Sequence, residues 1–266
     1  MSDAVVDNPP QMPWVERISQ NDFHRQLLIR RIIQAGGISD IATASMLLNL
    51  SESQTRRIIV RLEKDGFLIR EQHFIRGRSV HVFGISLGGL MFVDRTDEKP
   101  FELKRLNSDF VRHRLECARV YALVLKSEPR NGDFWKNEGV LRKTSGLKKI
   151  PDAIWGWHGQ KIAIEVELSP KSRKRYEDIL RQYLVVMEGD QKLDLVLWLV
   201  PEEIRNGLMN LLSSIPTPRP PNRDGLSEKR PYRFAVGALE NFLSEARFFN
   251  GELVFAPRIT IQVGLD

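Results

Sequence analysis

Three acidic residues in the middle of the chain have types and a spacing that suit metal chemistry. Asp152 precedes one apolar run, and Glu165 and Glu167 lie in the next. A hairpin that turns at His158 and Gly159 pairs Asp152 with Glu165, and strand alternation puts Glu167 on the same face. Opposed like charges destabilise a sheet, so the pattern favours a bound cation, and Mg²⁺ and Mn²⁺ prefer carboxylate oxygens. The residues predict a metal site, with an exposed polar hairpin face as the alternative.

Basic residues flank this acidic group on both sides. They are Arg142, Lys143, Lys148 and Lys149 before Asp152, and Lys171, Arg173, Lys174 and Arg175 after Glu167. Carboxylates that hold a cation, beside bases that hold phosphates, are the groups that metal-assisted phosphodiester cleavage requires. Cys117 is the only cysteine, so the sequence excludes an internal disulfide, and no Cys-x-x-Cys spacing predicts a zinc site.

Length and charge limit the possible classes of protein. The chain has 266 residues, enough for one large or two modest domains. Its net charge is +6, and residues 23–93 carry ten basic side chains against five acidic ones. This basic block suits a polyanion such as nucleic acid, although a solvated face explains it nearly as well. No stretch approaches the roughly 18 apolar residues of a membrane span, and the N-terminus lacks the order of a signal peptide. We expect a cytoplasmic protein without membrane insertion.

The first basic block has the element order of a winged helix-turn-helix. Helical spacing of apolar residues from position 23, stopped by two glycines, predicts a first helix. Ser39 is expected to cap a second helix over 40–48, and Ser51 a third over 52–65. In a winged helix-turn-helix the third helix enters the major groove of DNA.

Two β-like runs, 67–69 and 80–83, follow and are joined through Arg76, Gly77 and Arg78. A hairpin in this place touches the DNA backbone or minor groove. The predicted DNA contacts are polar residues of the third helix and arginines of the hairpin, namely Ser53, Gln54, Arg56, Arg57, Arg61, Arg76 and Arg78. A protein-docking module is the alternative interpretation.

The remainder of the chain predicts a sheet covered by helices. Residues 94–100 are mostly charged and mark a domain boundary. The elements expected after it are a helix over 101–125, strands over 134–141, 152–157 and 161–168, an amphipathic helix over 176–187 and a buried strand over 193–200. The order αβββαβ is typical of a sheet with packed helices. A proline-rich linker is expected over 214–231, and edge strands over 233–236, 253–255 and 258–263.

The stretch from Trp135 to Tyr183 resembles MobC-type plasmid mobilisation relaxases and the related replication-relaxation family. The similar segments are Trp135 to Arg142, Pro151-Asp152, Ala163 to Ser172, and Arg175 to Tyr183. Pro151-Asp152 followed by Glu165-x-Glu167 also resembles the PD-(D/E)XK nuclease core. The resemblance implies a two-domain α+β protein, with a flexible segment 1–22, a winged helix DNA-binding domain 23–93 and a restriction-endonuclease-like α/β domain 101–266.

The resemblance further implies a metal-dependent DNA endonuclease that nicks DNA at the transfer origin of a plasmid or mobile element. Its Mg²⁺ or Mn²⁺ would be held by Asp152, Glu165 and Glu167, with Glu138 as a supporting acid. The generic nuclease motif has lysine where this chain has Glu167. Lys171 is therefore the candidate that polarises the phosphate or the attacking water, and an ordinary lysine at a helix start is the alternative. DNA, a conjugation coupling protein and other relaxosome proteins are the implied partners.

Other functions remain open at this point. A non-catalytic DNA-binding regulator or relaxosome accessory protein is one alternative, and a nuclease that cuts both strands is another. Tyr121, Tyr176, Tyr183 and Tyr232 raise the possibility of a covalent tyrosyl intermediate, but Tyr176 and Tyr183 fall on an apolar stripe and are expected to pack in the core. His113 precedes Cys117 by four residues and either assists the chemistry or has a surface or capping role.

Overall fold

The computed structural model describes residues 20–126, 132–188, 193–215, 234–239, 246–249, 252–255 and 258–259. Most of segment 1–22, most of the expected proline-rich linker, Tyr232 and the end of the last expected strand lie outside these ranges. The chain is a mixed α+β protein, and its described part contains three sheets. None of the helices in those ranges is long and apolar enough to cross a membrane.

The first part of the described chain is a small helical unit with a three-stranded sheet. Its elements are α1 (Gln20–Ala35), β1 (Ile38–Ser39), α2 (Ile41–Leu48), α3 (Glu52–Lys64), β2 (Leu68–Ile75), β3 (Arg78–Ile85) and α4 (Leu87–Phe92). The antiparallel sheet has the order β1-β3-β2. The three expected helices and the hairpin are therefore present.

Side-chain caps fix the starts of α2 and α3. Ser51 caps α3 as expected, and Gln54 completes a capping box by accepting a hydrogen bond from the Ser51 N–H at 3.1 Å. The expected cap of α2 by Ser39 is wrong. Asp40 is the cap, because its carboxylate accepts the Thr43 N–H at 2.7 Å while the Ser39 hydroxyl donates to the Asp40 carbonyl.

The second part contains a six-stranded sheet. Its elements are a 3₁₀ turn (Leu103–Arg105), α5 (Ser108–Val124), β4 (Phe134–Asn137), α6 (Glu138–Thr144), β5 (Ala153–Trp157), β6 (Gln160–Val166), α7 (Arg173–Glu188), β7 (Leu195–Val200), α8 (Glu202–Ser213), β8 (Phe234–Ala238), β9 (Ala246–Phe249), β10 (Glu252–Phe255) and β11 (Arg258–Ile259). The strand order is β11-β8-β7-β6-β5-β4, and β9 pairs with β10 separately. Strands β6, β7 and β8 are parallel, and the other neighbours are antiparallel.

Several expected elements have different bounds, and asparagine caps explain two of the differences. The helix expected over 101–125 begins only at Ser108, because the Asn107 side chain accepts the Phe110 N–H at 2.7 Å. The strand expected over 134–141 ends at Asn137, which caps α6 by accepting the Val140 N–H at 3.0 Å. Two of the expected edge strands are also wrong, because β8, expected over 233–236, lies between β7 and β11, and β10, expected over 253–255, pairs with β9 in a separate sheet.

Helices cover both faces of the six-stranded sheet. On one face α7 and α8 pack with Ile154, Ala163 and Val196, and on the other α5 packs with Trp155 and Ile162. Helix α5 also packs on the first part of the chain through residues such as Ala118 and Ala122. Helix α5 therefore belongs to both cores, and the boundary expected at residues 94–100 stays a prediction.

Candidate active site

The hairpin of β5 and β6 has the register expected from the sequence. Trp157 pairs with Gln160, and Ala153 pairs with Ile164. The turn residues His158 and Gly159 have positive φ values of 48° and 81°, as a two-residue type I′ turn requires. Extending the register by one residue places Asp152 opposite Glu165, so the two carboxyl groups belong to the same end of the hairpin.

Asp152 is fixed at the point where the two strands separate. Its Oδ2 accepts the backbone N–H of Val166 at 2.8 Å and lies 3.2 Å from Nε2 of His113, a residue of α5. The same Nε2 lies 3.1 Å from the Val166 carbonyl oxygen. Because a carbonyl oxygen can only accept, Nε2 carries the proton and Nδ1 of a neutral His113 has the lone pair.

Glu165 is bound from the other face of the sheet. Lys149 Nζ is 2.5 Å from Glu165 Oε1, and the Tyr183 hydroxyl donates to the same oxygen. The lysine also lies over the Tyr183 ring, with 5.5 Å between Nζ and the ring centroid. The side chains of Glu165 and Lys149 are 14% and 19% exposed, so this ion pair is largely removed from water.

Glu167 and Lys171 form a neighbouring pair. The ammonium group of Lys171 donates to Glu167 Oε2, and the Lys171 backbone N–H donates to the Tyr176 hydroxyl at 3.1 Å. Glu167 is buried, whereas the Lys171 side chain is 41% exposed. Lys171 thus contacts Glu167, whereas the lysine that contacts Glu165 is Lys149.

Glu138 occupies a different environment from the other acids. Its carboxylate pairs with Arg114 at 2.8 Å and with Arg142 at 2.5 Å, and it begins helix α6 instead of continuing a strand. Its backbone N–H donates to the Asp152 carbonyl at 2.8 Å. Glu138 thus adjoins Asp152 through the backbone, while its carboxylate is held by arginines.

Burial and charge shift the pKa values of the site in opposite directions. Burial alone would raise the pKa of Asp152, but the hydrogen bond and charge of His113 lower it below its usual value. Burial and the charge of Asp152 raise the pKa of Glu165, and Lys149 only partly offsets this. Burial raises the pKa of Cys117 well above its usual value and that of Tyr176 to about 12. The carboxyl groups of Asp152 and Glu165 therefore accept a proton at different pH values, as in many acid–base sites.

Three contacts of the site were missed by sequence reasoning. Lys149 had been recognised only as one of several flanking bases, and Tyr183 only as a core residue. The pairing of His113 with Asp152 joins residues on separate elements, and no local sequence pattern encodes it. The closeness of Lys149 to Asp152 in the chain was the one signal that could have identified the lysine.

Comparisons with protein-family models, with curated proteins and with solved structures gave no match for this chain. The site is therefore judged by its chemistry. Asp152, Glu165 and Glu167 provide oxygen donors of the type that Mg²⁺ and Mn²⁺ bind, and two of them are brought to one end of the hairpin. Among the described residues, however, the structure does not bring these three acids together as one group that could hold an ion, as the sequence predicted, and Lys149 already contacts Glu165.

The expected DNA-contacting residues of α3 are all on its exposed side. Thr55, Ile59 and Leu62 are buried, and the exposed residues include Ser53, Gln54, Arg56, Arg57 and Arg61. Within the described ranges no carboxylate pairs with these three arginines, whereas Arg70 pairs with Glu63 at 3.1 Å. A cavity of about 400 Å³ beside α3 is lined by Gln54, Arg57 and Arg61 and by Arg25 of α1. The Gln54 side chain is occupied by its capping bond.

The hairpin arginines lie next to further basic residues. Arg76 and Arg78 are exposed at the tip, where Arg76 and Gly77 have positive φ values of 49° and 75°. A groove of about 450 Å³ joins this tip to Arg112 and Arg119 of α5. Arg119 pairs with Asp40 and Glu116, both at the same groove. The basic surface thus extends from the hairpin to α5.

Proposed function

We propose that this chain is a metal-dependent DNA endonuclease of the MobC relaxase type, which nicks one strand at a transfer origin. The observation that carries the proposal is the register that sets Asp152 opposite Glu165 at the open end of the β5–β6 hairpin. The topology supports it, because α5, the antiparallel strands β4 to β6, the crossover helix α7 and the parallel strand β7 follow the order of a PD-(D/E)XK core.

The first part of the chain supports DNA binding in the same proposal. Three helices, a short strand and a basic-tipped hairpin follow the order of a winged helix-turn-helix. Arg56, Arg57 and Arg61 face outward from α3, and such side chains bind phosphates and guanine edges. In the proposal, α3 lies in the major groove and the hairpin contacts the adjacent backbone.

Each site residue has a role in this proposal. Asp152, kept ionised by His113, and Glu165 would hold the metal ion, and Glu167 would join them only by leaving Lys171. A bound Mg²⁺ or Mn²⁺ would neutralise charge on the scissile phosphate. Lys149 would take the role that the generic nuclease motif gives to its lysine, because it already contacts Glu165. Lys171 would orient Glu167, and the arginine-bound Glu138 would support the backbone of Asp152.

A second candidate is a non-catalytic DNA-binding regulator or relaxosome accessory protein. The observation that favours it is that the three acids already have partners within the protein. Lys149 neutralises Glu165, Lys171 neutralises Glu167, and His113 binds Asp152. In this alternative the ion pairs stabilise the sheet, and only the basic surface of the first part functions.

A nicking assay tests the first candidate against the second. Supercoiled plasmids that carry a transfer origin, taken first from DNA that flanks the coding sequence of this chain, are incubated with the protein and Mg²⁺. We expect open-circular product from the wild type and from the surface control Glu203→Ala, and none from Asp152→Ala or Glu165→Ala. Linear product would instead indicate cleavage of both strands.

Binding measured on the same DNA separates the remaining outcomes. DNA that stays intact, and is protected equally with and without Mg²⁺, would support the regulator. Cleavage by Asp152→Ala at the wild-type rate would refute the assigned site. A chain that neither binds nor cuts any duplex would refute both candidates.

A further inference from the structure

Helix α5 and the start of β5 bring together three residues whose side chains are known metal ligands. His113 and Cys117 are four positions apart and therefore share one face of α5. One ligand atom from each of His113, Cys117 and Asp152 lies within 4.8 Å of the other two. Cys117 is buried, and the side chains of His113 and Asp152 are 30% and 16% exposed.

The distance between the sulfur and the imidazole is close to that of a zinc site. Cys117 Sγ is 3.8 Å from Nδ1 of His113. Zinc bonds of about 2.3 Å to sulfur and about 2.0 Å to nitrogen, at a tetrahedral angle, separate these two atoms by about 3.5 Å. Small changes in side-chain torsion angles are therefore enough for both atoms to bind one ion.

The contacts of His113 also suit this role. Its Nε2–H lies near both the Val166 carbonyl oxygen at 3.1 Å and Asp152 Oδ2 at 3.2 Å, which leaves the lone pair of Nδ1 for a ligand. A histidine that binds a metal commonly donates its other N–H to a carbonyl or carboxylate oxygen, which fixes the ring orientation. The ring is thus already oriented by the backbone of β6.

We infer that His113, Cys117 and Asp152 form a binding site for a thiophilic divalent ion such as Zn²⁺. A thiolate and an imidazole select such an ion over Mg²⁺, which prefers oxygen ligands only. Three protein ligands leave one tetrahedral position for water or a phosphate oxygen. The site lies on the α5 side of Asp152, whereas Glu165 and Lys149 lie on the α7 side. The two proposals share Asp152, but Co²⁺ binding to His113 and Cys117 is measured without DNA, so its failure is distinguishable from a failure of DNA cleavage.

Titration of the full-length, metal-free chain with Co²⁺ tests this site. Cobalt in a tetrahedral thiolate site gives a sulfur-to-metal charge-transfer band, and Cys117 is the only sulfur of that kind in the chain. We expect this band to saturate at one Co²⁺ per chain and to disappear when Zn²⁺ is added. Absence of the band in the wild type would overturn the inference.

Variants separate the three ligands from the rest of the protein. Cys117→Ser should abolish the band, and His113→Gln and Asp152→Asn, which keep the thiol, should each weaken Co²⁺ binding by about tenfold or more. The surface control Glu203→Ala and the exposed-histidine control His81→Gln should bind Co²⁺ as the wild type does. Wild-type affinity in both His113→Gln and Asp152→Asn would overturn the site even if Cys117→Ser fails to fold.

Discussion

Val166 donates its backbone N–H to Oδ2 of Asp152 at 2.8 Å, so a side chain replaces the backbone partner just before β5 begins, at the last residue of β6. This bond ties the carboxylate to the opposite strand before any metal or substrate binds. It also holds Asp152 between His113 on one face of the sheet and Glu165, with its partners Lys149 and Tyr183, on the other face. The position of Asp152 is thus set by the hairpin itself.

Removing Lys149 from its ion pair with Glu165 should destabilise the fold to an extent that depends on pH. Lys149→Met leaves Glu165 buried without its cation, and we expect the free energy of unfolding at pH 7 to fall by about 2 kcal/mol. Because burial raises the pKa of Glu165, the variant can protonate this residue in mild acid, so the loss should be smaller at pH 5. Urea denaturation at both pH values measures the effect, with the exposed neighbour Lys148→Met as control. An equal loss at both values would contradict Glu165 as the partner.

The His113–Asp152 pair predicts a stability maximum in mild acid. Burial alone would lower the pKa of His113, but Asp152 raises it above 6.5. The protonated His113 therefore stabilises the folded state fully below pH 6.5, and this contribution is lost as the pH rises through the folded-state pKa. The pKa of Asp152 is held below 3.8. The ionised Asp152 therefore stabilises the folded state above pH 3.8, and this contribution is lost on further acidification. In the presence of a metal chelator, the difference in the free energy of unfolding between the wild type and His113→Gln should be largest between about pH 4 and 6.5. Urea denaturation at a series of pH values checks this, with the exposed-histidine variant His81→Gln as the control.

The outward arginines of α3 predict the salt dependence of DNA binding. Each phosphate contact releases counterions, so the slope of log affinity against log salt falls by about 1 for each contact removed. We expect Arg57→Ala with Arg61→Ala to reduce the slope by about 2, and Arg181→Ala on α7 to leave it unchanged. Fluorescence anisotropy with a labelled duplex at several KCl concentrations measures it. A slope that stays at the wild-type value would place the DNA elsewhere.

Gly159 predicts a stability cost that comes from the backbone alone. Its φ of 81° is strained for any other residue, while an added Cβ would meet nothing within 4 Å. Gly159→Ala should therefore lower the free energy of unfolding by about 1 kcal/mol. Gly207→Ala in α8 also meets nothing within 4 Å but lies in a helix, so it should stabilise by up to about 1 kcal/mol. Chemical denaturation of both variants tests the opposite signs.

Local patterns in the sequence were sufficient for most elements of the structure. The period of apolar residues gave the helices α3 and α7, and the His158–Gly159 turn with strand alternation gave the register that sets Asp152 opposite Glu165. These features depend on residues a few positions apart, whose geometry backbone sterics fix. At Ser108 and Asn137, two of the places where the bounds differed, an asparagine cap had been overlooked.

The sequence by itself thus determined the β5–β6 hairpin, its register and the exposed basic side of α3. Only the tertiary structure decided which base meets which acid: Lys149 instead of Lys171 at Glu165, and His113 at Asp152. These contacts depend on how α5 and α7 pack on opposite faces of the sheet. That packing is set by the fit of many apolar side chains distant in the chain, and no local propensity encodes it.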